Sequence, residues 1–541
     1  MGINLTGLSY FSSEQPLLNV FASNSNWFTH SNSTWDTGEA KYLNLDSNGW
    51  PITLNSVNEP SSQQFNSVGV LLQREFPSTP NGYYPGGKYI VLYEGQGTIT
   101  YGGDAVMVSR AAGQDTINVA NPTAGGIDLR ITVTDPNHTG NYIRNIQVVQ
   151  AANLAALKAG QIFNPRFLSL IQNFHVLRFM DWLSTNNSTL SSWANRPLES
   201  HAFWGTSKGV PLEVAVQLAN ADSADAWLNV PVMADANYVT QMATVVHSML
   251  GTSQKVYVEF SNEVWNGIFA QSAYATAQGQ GTFPAGKGSP FDYNRNWYGM
   301  RVAQICDTWK GVWGADAGRV VCVLAAQAGN TYTATESLAC PFWTDGAPCA
   351  HHGIGAVAIA PYFGGNVPAM WTSQGEGGLT ALFASLKGQN DASIPARGWL
   401  NEASSMVPPY ISALAPYKLP LIAYEGGQTF IGMDNATLTN LYAAANRDAR
   451  MGTAYTDFFQ QWKADGGQLF MAFADVAGSS KFGEWGALES VMQSTSPLSS
   501  APPKWQAIQG FISTNPCWWS SCAGMIGSTV VPMAPSGLTI H

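Results

Sequence analysis

The sequence predicts an α/β protein, a closed (β/α)8 barrel of the TIM type with a β-sandwich-like subdomain inserted between its first two strands. From about residue 175 onward, short apolar runs alternate with longer amphipathic segments. This alternation is typical of βα units around a parallel sheet. Between residues 62 and 150 the pattern changes to short runs with strand-like alternation, which indicates a separate β-structure.

Eight apolar runs predict the eight strands of the barrel. The N-terminal "GINLTGLSYF" predicts the first, and seven further runs follow the inserted region. Because their apolar stretches are nearly continuous, both faces of each strand are expected to be buried, which favours a closed barrel over an open sheet. These seven runs cover 175–182, 226–234, 255–260, 319–326, 355–363, 419–427 and 468–476. Apolar residues at three- and four-residue spacing predict helices at 238–250 and 294–313.

The domain organisation follows from these patterns. Residues 1–61 and 151–515 are expected to form the barrel, and 62–150 the insertion, where runs such as "GKYIVLYEG" and "IDLRITVTD" lie between Gly, Asn and Asp turns. Residues 516–541 are expected to form a disulfide-stapled tail and linker. The tail segment "VVPMAPSGLTIH" resembles the start of a fibronectin type III module, which would suit further C-terminal modules in the natural chain.

Composition limits the classes of partner. The formal net charge is -10, and the chain has no lysine or arginine run that could attract nucleic acid or an anionic membrane surface. It also has no apolar run of the length that a membrane span needs. Charged residues make up only 11% of the chain while aromatic residues reach 12%. Uncharged polar groups mixed with aromatic rings suit a neutral polysaccharide or oligosaccharide as the partner.

The cysteines predict three disulfides and an oxidising compartment. The most economical pairing is Cys340–Cys349, Cys517–Cys522 and Cys306–Cys322. A secreted or extracellular protein is therefore expected, and a periplasmic one stays open. The alternative is a metal site that uses Cys349, His351 and His352. Their spacing fits no standard zinc pattern, so no metal is predicted.

Two glutamates lie where a barrel enzyme carries its catalytic groups, at the carboxyl ends of strands. Glu263 in "SNEVWN" follows the run 255–260, and Glu425 in "AYEGG" follows the apolar core of 419–424. A retaining glycosidase needs one carboxylic acid and one nucleophilic carboxylate about 5–5.5 Å apart. Alternatively, either glutamate caps a helix or pairs with an arginine at the rim. Two such residues after suitable strands favour catalysis.

These two segments resemble known ones. "SNEVWN" is similar to the strand-four Asn-Glu signature of the clan A glycoside hydrolases, and "AYEGG" resembles the strand-seven nucleophile segment of the same clan. The resemblance implies that Glu263 is the acid/base, that Glu425 is the nucleophile, and that Asn262 contacts a sugar 2-hydroxyl. Neither metal nor organic cofactor is implied. Strict strand alternation would point Asn262 and Glu263 to opposite faces, so a bend is expected here.

The same resemblance extends to other positions. Arg178 in "HVLRFMDW" matches the clan's strand-two arginine and would keep Glu425 ionised. Tyr362 in "APYF" matches the strand-six tyrosine that hydrogen-bonds the nucleophile. Ala360 stands where the commoner pattern has histidine, so no specific family is assigned. Trp485 is a candidate floor for the sugar at the cleavage point, with core packing as its alternative. Further platform candidates are Trp182, Trp204 and Trp265.

The favoured interpretation is a retaining endo-β-glycanase that cleaves a β-linked polysaccharide, preferably of the glucan type, by double displacement. One alternative is a non-catalytic glycan-binding protein on a glycosidase barrel. Another is a serine esterase, since "GTSKG" at 205–209 fits G-x-S-x-G with Ser207 as the nucleophile. That motif needs a buried strand before it, and the preceding "ESHAFW" does not predict one.

Overall fold

A parallel barrel forms the body of the protein. The computed structural model describes residues 1–56, 65–74, 83–344, 347–388, 394–520 and 522. Eight parallel strands make one sheet. Strands one to seven pair in chain order, and strand one also pairs with strand eight. A parallel bridge from Ala423 to Phe470 joins strands seven and eight. The predicted (β/α)8 barrel is confirmed.

The barrel strands coincide with the apolar runs of the sequence. In chain order they are Gly2–Asn4, Val176–Arg178, Asp225–Val230, Val256–Phe260, Val320–Ala325, Ile354–Ile359, Leu421–Ala423 and Met471–Ala472. Alternate side chains face the barrel interior, where Trp227 stacks on Tyr257 with ring centroids 5.3 Å apart. The other set, such as Val256 and Val258, packs in the main core outside the barrel. Burial on both faces explains why these strands read as continuous apolar runs.

Helices connect the strands on the outside of the barrel. The two predicted helices are confirmed as Ala236–Met249 and Pro290–Trp313. The second begins at a capping box, in which Ser289 and Asp292 satisfy each other's backbone N–H groups. The remaining α-helices are Leu154–Lys158, Pro165–Ile171, Leu212–Asp222, Ala270–Thr282, Tyr332–Ala339, Glu376–Ser385, Trp399–Ser405, Val407–Leu414, Ala436–Arg447, Ala449–Ala464 and Pro503–Thr514.

Two antiparallel four-stranded sheets lie between barrel strands one and two, as the predicted insertion requires. One contains Phe28–His30, Ser67–Leu72, Ile127–Thr134 and Gly97–Gly103, and the other contains Arg144–Gln150, Gly87–Glu94, Gln114–Val119 and Ala105–Ala111. Apolar residues of both sheets, including Val70, Leu129, Tyr89 and Ile117, share one core. The strand Phe28–His30 pairs with Ser67–Leu72 although it lies before residue 62.

Two short strand pairs lie outside these three sheets. Leu43–Leu45 pairs with Pro51–Ser56 within the segment that leads to the insertion. Tyr362–Phe363 pairs with Gly427–Gln428, just beyond barrel strands six and seven. The second pair extends the wall of the barrel at the end where the strands finish.

The cysteines form the three disulfides that the sequence favours. The Cα atoms are 5.7 Å apart in Cys306–Cys322, 5.8 Å in Cys340–Cys349 and 5.7 Å in Cys517–Cys522. Cys349 is bonded to Cys340 and is therefore not a free thiolate for a metal.

The C-terminal segment contacts the base of the barrel. Trp519 is buried in the interior cluster and meets the His175 ring edge-on at 5.5 Å. The fibronectin-like segment beyond residue 522 lies outside the described residues. None of the helices in the described part of the chain combines the length and apolar character needed to cross a membrane.

Candidate active site

Arg178 is the centre of a buried polar network at the carboxyl ends of the barrel strands. Its Nη1 donates to Asn4 Oδ1 at 2.9 Å and to Glu425 Oε2 at 3.1 Å. Its Nη2 donates to Asn262 Oδ1 at 2.8 Å and to Glu259 Oε2 at 2.9 Å. The side chain is completely buried, so two carboxylates compensate its charge away from water. The network joins strand two to the ends of strands one, four and seven.

Glu425 follows barrel strand seven and lies against this guanidinium. It is buried, and the hydroxyl of Tyr362 is a hydrogen-bond partner of its carboxylate. Burial and, second, the negative charge of Glu263 raise the pKa of Glu425 to about 8, although Arg178 acts in the opposite direction. The structure thus brings Arg178 and Tyr362 to Glu425, where the sequence expected both.

Glu263 lies at a bend directly after strand four. Ser261 has φ 59° and Glu263 has φ 42°, so the backbone leaves the extended conformation here. This bend is what the sequence required, because it lets both consecutive side chains lie near Arg178: Asn262 accepts a hydrogen bond from it, and Glu263 bonds to Tyr424, whose ring the guanidinium contacts. Glu263 Oε1 accepts a hydrogen bond from the Tyr424 hydroxyl at 2.7 Å, and its Oε2 accepts one from Asn266 Nδ2 at 2.8 Å.

The two glutamates titrate as a pair. Burial raises the pKa of Glu263, and its hydrogen bonds from Asn266 and Tyr424 partly offset this. The negative charge of Glu263 also raises the pKa of Glu425, so ionisation of both carboxyls together is disfavoured. The pair therefore favours a state that shares one proton. Glu425 has a guanidinium contact, whereas the donors to Glu263 are a neutral hydroxyl and a neutral amide.

A third carboxylate, Glu259, was missed by the sequence analysis. It is fully buried inside the barrel, and its Oε2 accepts hydrogen bonds from Arg178, from Trp227 Nε1 at 2.8 Å and from Asn229 Nδ2 at 2.9 Å. The sequence contains one indication of it. In the strand "VYVEF", Glu259 lies two residues after Tyr257, so the two side chains are expected on the same, inward face. From the interior of the barrel, Glu259 holds the Arg178 side chain in its orientation.

Other hydrogen bonds of the site were also not predicted from the sequence. Tyr424 precedes Glu425 in the chain but bonds to Glu263, and Asn262 Nδ2 donates to Asn186 Oδ1 at 3.1 Å. Gln271 Nε2 bonds to both Asn186 Oδ1 and the Asn262 carbonyl at 2.8 Å. The amide side chains of Asn186 and Gln271 therefore stabilise the bend after strand four by hydrogen bonds to Asn262.

The tryptophan candidates differ in their surroundings. Trp485 is half-buried and lies 5.8 Å from the Tyr362 ring and 5.5 Å from the Phe473 ring, which places it beside the network. Trp182 is almost completely buried and packs edge-on against Phe179, so it does not present a free ring face. Trp265 is half-buried two residues after Glu263, and Trp204 is half-buried on the loop that precedes the first helix after strand two.

Ser207 does not occupy the position of a hydrolase nucleophile. The residues before it form turns rather than a buried strand, and the next helix begins only at Leu212. The strand-turn-helix geometry that exposes such a serine is therefore missing around 205–209.

Matches to known proteins occur among solved structures. No family model and no curated protein matches the chain. Among solved structures, a family 5 xyloglucan-specific β-1,4-glucanase from a ruminal metagenomic library is 9% identical, with 68% of this chain and 90% of that chain covered and a TM-score of 0.36. A family 5 xyloglucanase from Paenibacillus pabuli is 10% identical, with 64% and 90% covered and a TM-score of 0.35. A broad-specificity family 5 endoglucanase from Clostridium acetobutylicum is 12% identical, with 64% and 88% covered and a TM-score of 0.32.

The two structures from the ruminal library and from P. pabuli contain bound ligands of their own.

Proposed function

We propose that this protein is a retaining glycoside hydrolase that cleaves β-linked polysaccharide internally, with a glucan-type substrate favoured. One observation carries the proposal. Glu263 and Glu425, from the ends of strands four and seven, both lie around Arg178: Glu425 accepts a hydrogen bond from its guanidinium, and Glu263 accepts one from Tyr424, whose ring centroid lies 5.1 Å from that guanidinium. Two carboxyls with different partners, one beside a cation and one beside neutral donors, suit the unequal roles of a nucleophile and a proton donor.

In the first step, Glu425 attacks the anomeric carbon and the glycosidic C–O bond breaks. We assign the shared proton to Glu263, because Arg178 stabilises the negative charge on Glu425 at 3.1 Å. Glu263 gives this proton to the departing oxygen. The products of the step are a glycosyl ester on Glu425 and the free reducing-side part of the polymer.

In the second step, water replaces the enzyme at the anomeric carbon. Ester formation removes the charge of Glu425, which lowers the pKa of Glu263 and makes it a base. Glu263 accepts a proton from the water, and the Glu425 ester bond breaks. Asn262, already held by Arg178 and Asn186, is available to bind a sugar 2-hydroxyl, and Trp485 offers a ring surface at the site.

The location is part of the proposal. Disulfides form and persist in oxidising compartments, and three of them suit a secreted or extracellular enzyme whose polymeric substrate does not enter cells.

The experiment measures the release of oligosaccharides from 1,2-, 1,3-, 1,4- and 1,6-linked β-glucans, xylan and mannan. The unaltered protein is compared with Glu425→Ala and with Glu402→Gln, a matched control at an exposed carboxylate. We expect cleavage of one polymer class by the unaltered protein and the control, and none by Glu425→Ala. Added azide should restore cleavage in Glu425→Ala and give a glycosyl azide of inverted configuration, because azide takes the place of the missing nucleophile.

Two results would contradict the proposal. Full turnover by Glu425→Ala would exclude Glu425 as the nucleophile. Binding of a glycan without turnover by the unaltered protein would instead support a non-catalytic glycan-binding protein.

A further inference from the structure

A polar cavity lies beside the Arg178 network, between the loops that follow barrel strands one and two. Its volume is about 240 Å³, and its walls include Asp181, Ser184, Trp204, Thr206 and Ser207. These groups are a carboxylate, three hydroxyls and an indole, and none of them is cationic. The cavity opens on the same end of the barrel as Glu263 and Glu425, because its loops leave the carboxyl ends of their strands.

Asp181 is the charged group of this cavity. It follows Arg178 by three residues and is half-buried, and within the described residues its carboxylate has no hydrogen-bond partner. Arg178 lowers the pKa of Asp181 while burial, the larger cause, raises it to about 6. The charge of Asp181 in turn raises the pKa of Glu425. Asp181 is therefore within electrostatic range of Arg178 and Glu425.

The loop that forms the other wall is fixed before any ligand binds. The backbone N–H of Trp204 donates to the Ala22 carbonyl at 2.7 Å, and that of Gly205 donates to the Asn24 carbonyl at 3.0 Å. A side chain at Gly205 would lie 2.4 Å from a backbone oxygen, so the close approach depends on glycine. Among the described residues, the buried indole N–H of Trp204 has no hydrogen-bond partner. Backbone hydrogen bonds thus hold this wall of the cavity in place.

We propose that this cavity is a sugar subsite that binds a neutral pyranose through hydroxyl hydrogen bonds to Asp181 and excludes a uronosyl residue. The inference rests on the proposed glycosidase function and adds a determinant of substrate specificity to it. A carboxylate can accept hydrogen bonds from two neighbouring hydroxyls of one sugar ring. The cavity and Glu425 both lie at the carboxyl ends of the barrel strands, so one polymer chain can reach both.

Charge explains the exclusion of uronosyl residues. The groups whose charges act on Asp181 are Arg178, which Glu259 and Glu425 already compensate, and Asp475, a further carboxyl. Lys208 belongs to the same loop but is exposed, and its charge acts on His201. A sugar carboxylate in the cavity would therefore meet a like charge at low dielectric without a free cation nearby.

The test compares a neutral polysaccharide that the enzyme cleaves with the same polymer partly oxidised at C6 to uronic acid. The variants are Asp181→Asn and Asp181→Ala, with Asp316→Asn as a control at the opposite end of the barrel. We expect Asp181→Asn to raise KM for the neutral polymer about tenfold or more, with a smaller change in kcat. The ratio of kcat/KM on oxidised to neutral polymer should also rise at least about tenfold, and Asp316→Asn should change neither value.

A second variant tests the charge without touching Asp181. Ser207 is exposed at the cavity, so Ser207→Lys adds a cation with little risk to folding. It should raise activity on the oxidised polymer relative to the neutral one. An unchanged ratio in both Asp181→Asn and Ser207→Lys, with turnover of the neutral polymer intact, would overturn the subsite and leave the proposed function standing. Absence of turnover by the unaltered protein would overturn both.

Discussion

Arg178 and Glu425 are joined by a hydrogen bond of 3.1 Å although 247 positions separate them in the chain. The contact crosses the barrel mouth from strand two to strand seven. Arg178 has no exposed surface, so its charge is compensated only by the side chains around it. The stability of the fold and the ionisation of the candidate nucleophile therefore depend on the same guanidinium.

Replacement of Arg178 by methionine should destabilise the protein and abolish turnover. The change leaves Glu259 and Glu425 buried without their cation, which typically costs about 3–5 kcal/mol in the free energy of unfolding. Urea unfolding followed by circular dichroism measures this. Arg450→Met is the control, because Arg450 pairs with Asp448 and Glu376 at the surface and should cost at most about 1 kcal/mol. Equal effects of both changes would contradict the structural role of Arg178.

Tyr424→Phe should move the alkaline limb of the kcat/KM profile to higher pH. The Tyr424 hydroxyl donates to the Glu263 carboxylate at 2.7 Å and so lowers the pKa of Glu263. Loss of this bond disfavours the ionised form, and the acid should keep its proton to a pH about one unit higher. Tyr89→Phe, which removes a hydroxyl in the insertion, should leave the profile unchanged. A shift to lower pH in Tyr424→Phe would contradict the assignment of the acid to Glu263.

Glu425→Gln should reduce the dependence of the fold's stability on pH. Burial and the negative charge of Glu263 raise the pKa of Glu425 to about 8, so the unaltered protein should lose stability as pH rises from the ordinary carboxyl range towards that value. The neutral amide removes one of the two like charges, so the loss of stability between pH 5 and 8 should be smaller in Glu425→Gln by on the order of a few kcal/mol. Unfolding curves between pH 5 and 8 test it. Parallel pH dependences of the two proteins would show that the pair of glutamates ionises without cost.

The disulfide Cys306–Cys322 should stabilise the barrel more than the tail disulfide does. It ties the helix Pro290–Trp313 to strand five and closes a loop of 16 residues, which corresponds to about 3 kcal/mol. The Cys517–Cys522 loop spans 5 residues and should contribute about 1 kcal/mol less. Unfolding of the double alanine variants of each pair measures both. A larger loss from the tail pair would contradict this order.

The sequence predicts the barrel well because each strand is buried on both faces and reads as an apolar run. The positions of Glu263 and Glu425 at the carboxyl ends of strands were predictable for the same reason, since each residue directly follows an apolar run. Glu259 was not, because it lies within a run and only barrel closure places it against Arg178. The strand Phe28–His30 was also missed, since it has little periodicity of its own and forms by pairing with Ser67–Leu72.

The shape of the polar cavity could not be predicted from the sequence either. The segment 204–209 suggests only a chance serine-hydrolase motif in the sequence. Its actual shape comes from backbone hydrogen bonds to Ala22 and Asn24, which are about 180 residues distant in the chain. Contacts of this range follow from packing of the insertion-side loops on the barrel, and local patterns do not encode them.

The most direct test of the central claim is to trap the covalent intermediate. The unaltered protein is incubated with an activated 2-deoxy-2-fluoro glycoside of the sugar found in the substrate screen, and the labelled peptide is identified by mass spectrometry. The account predicts one glycosyl group per chain, bound as an ester to Glu425, and no label in Glu425→Ala. A label on another residue, or turnover of the natural substrate with inversion at the anomeric carbon, would contradict it.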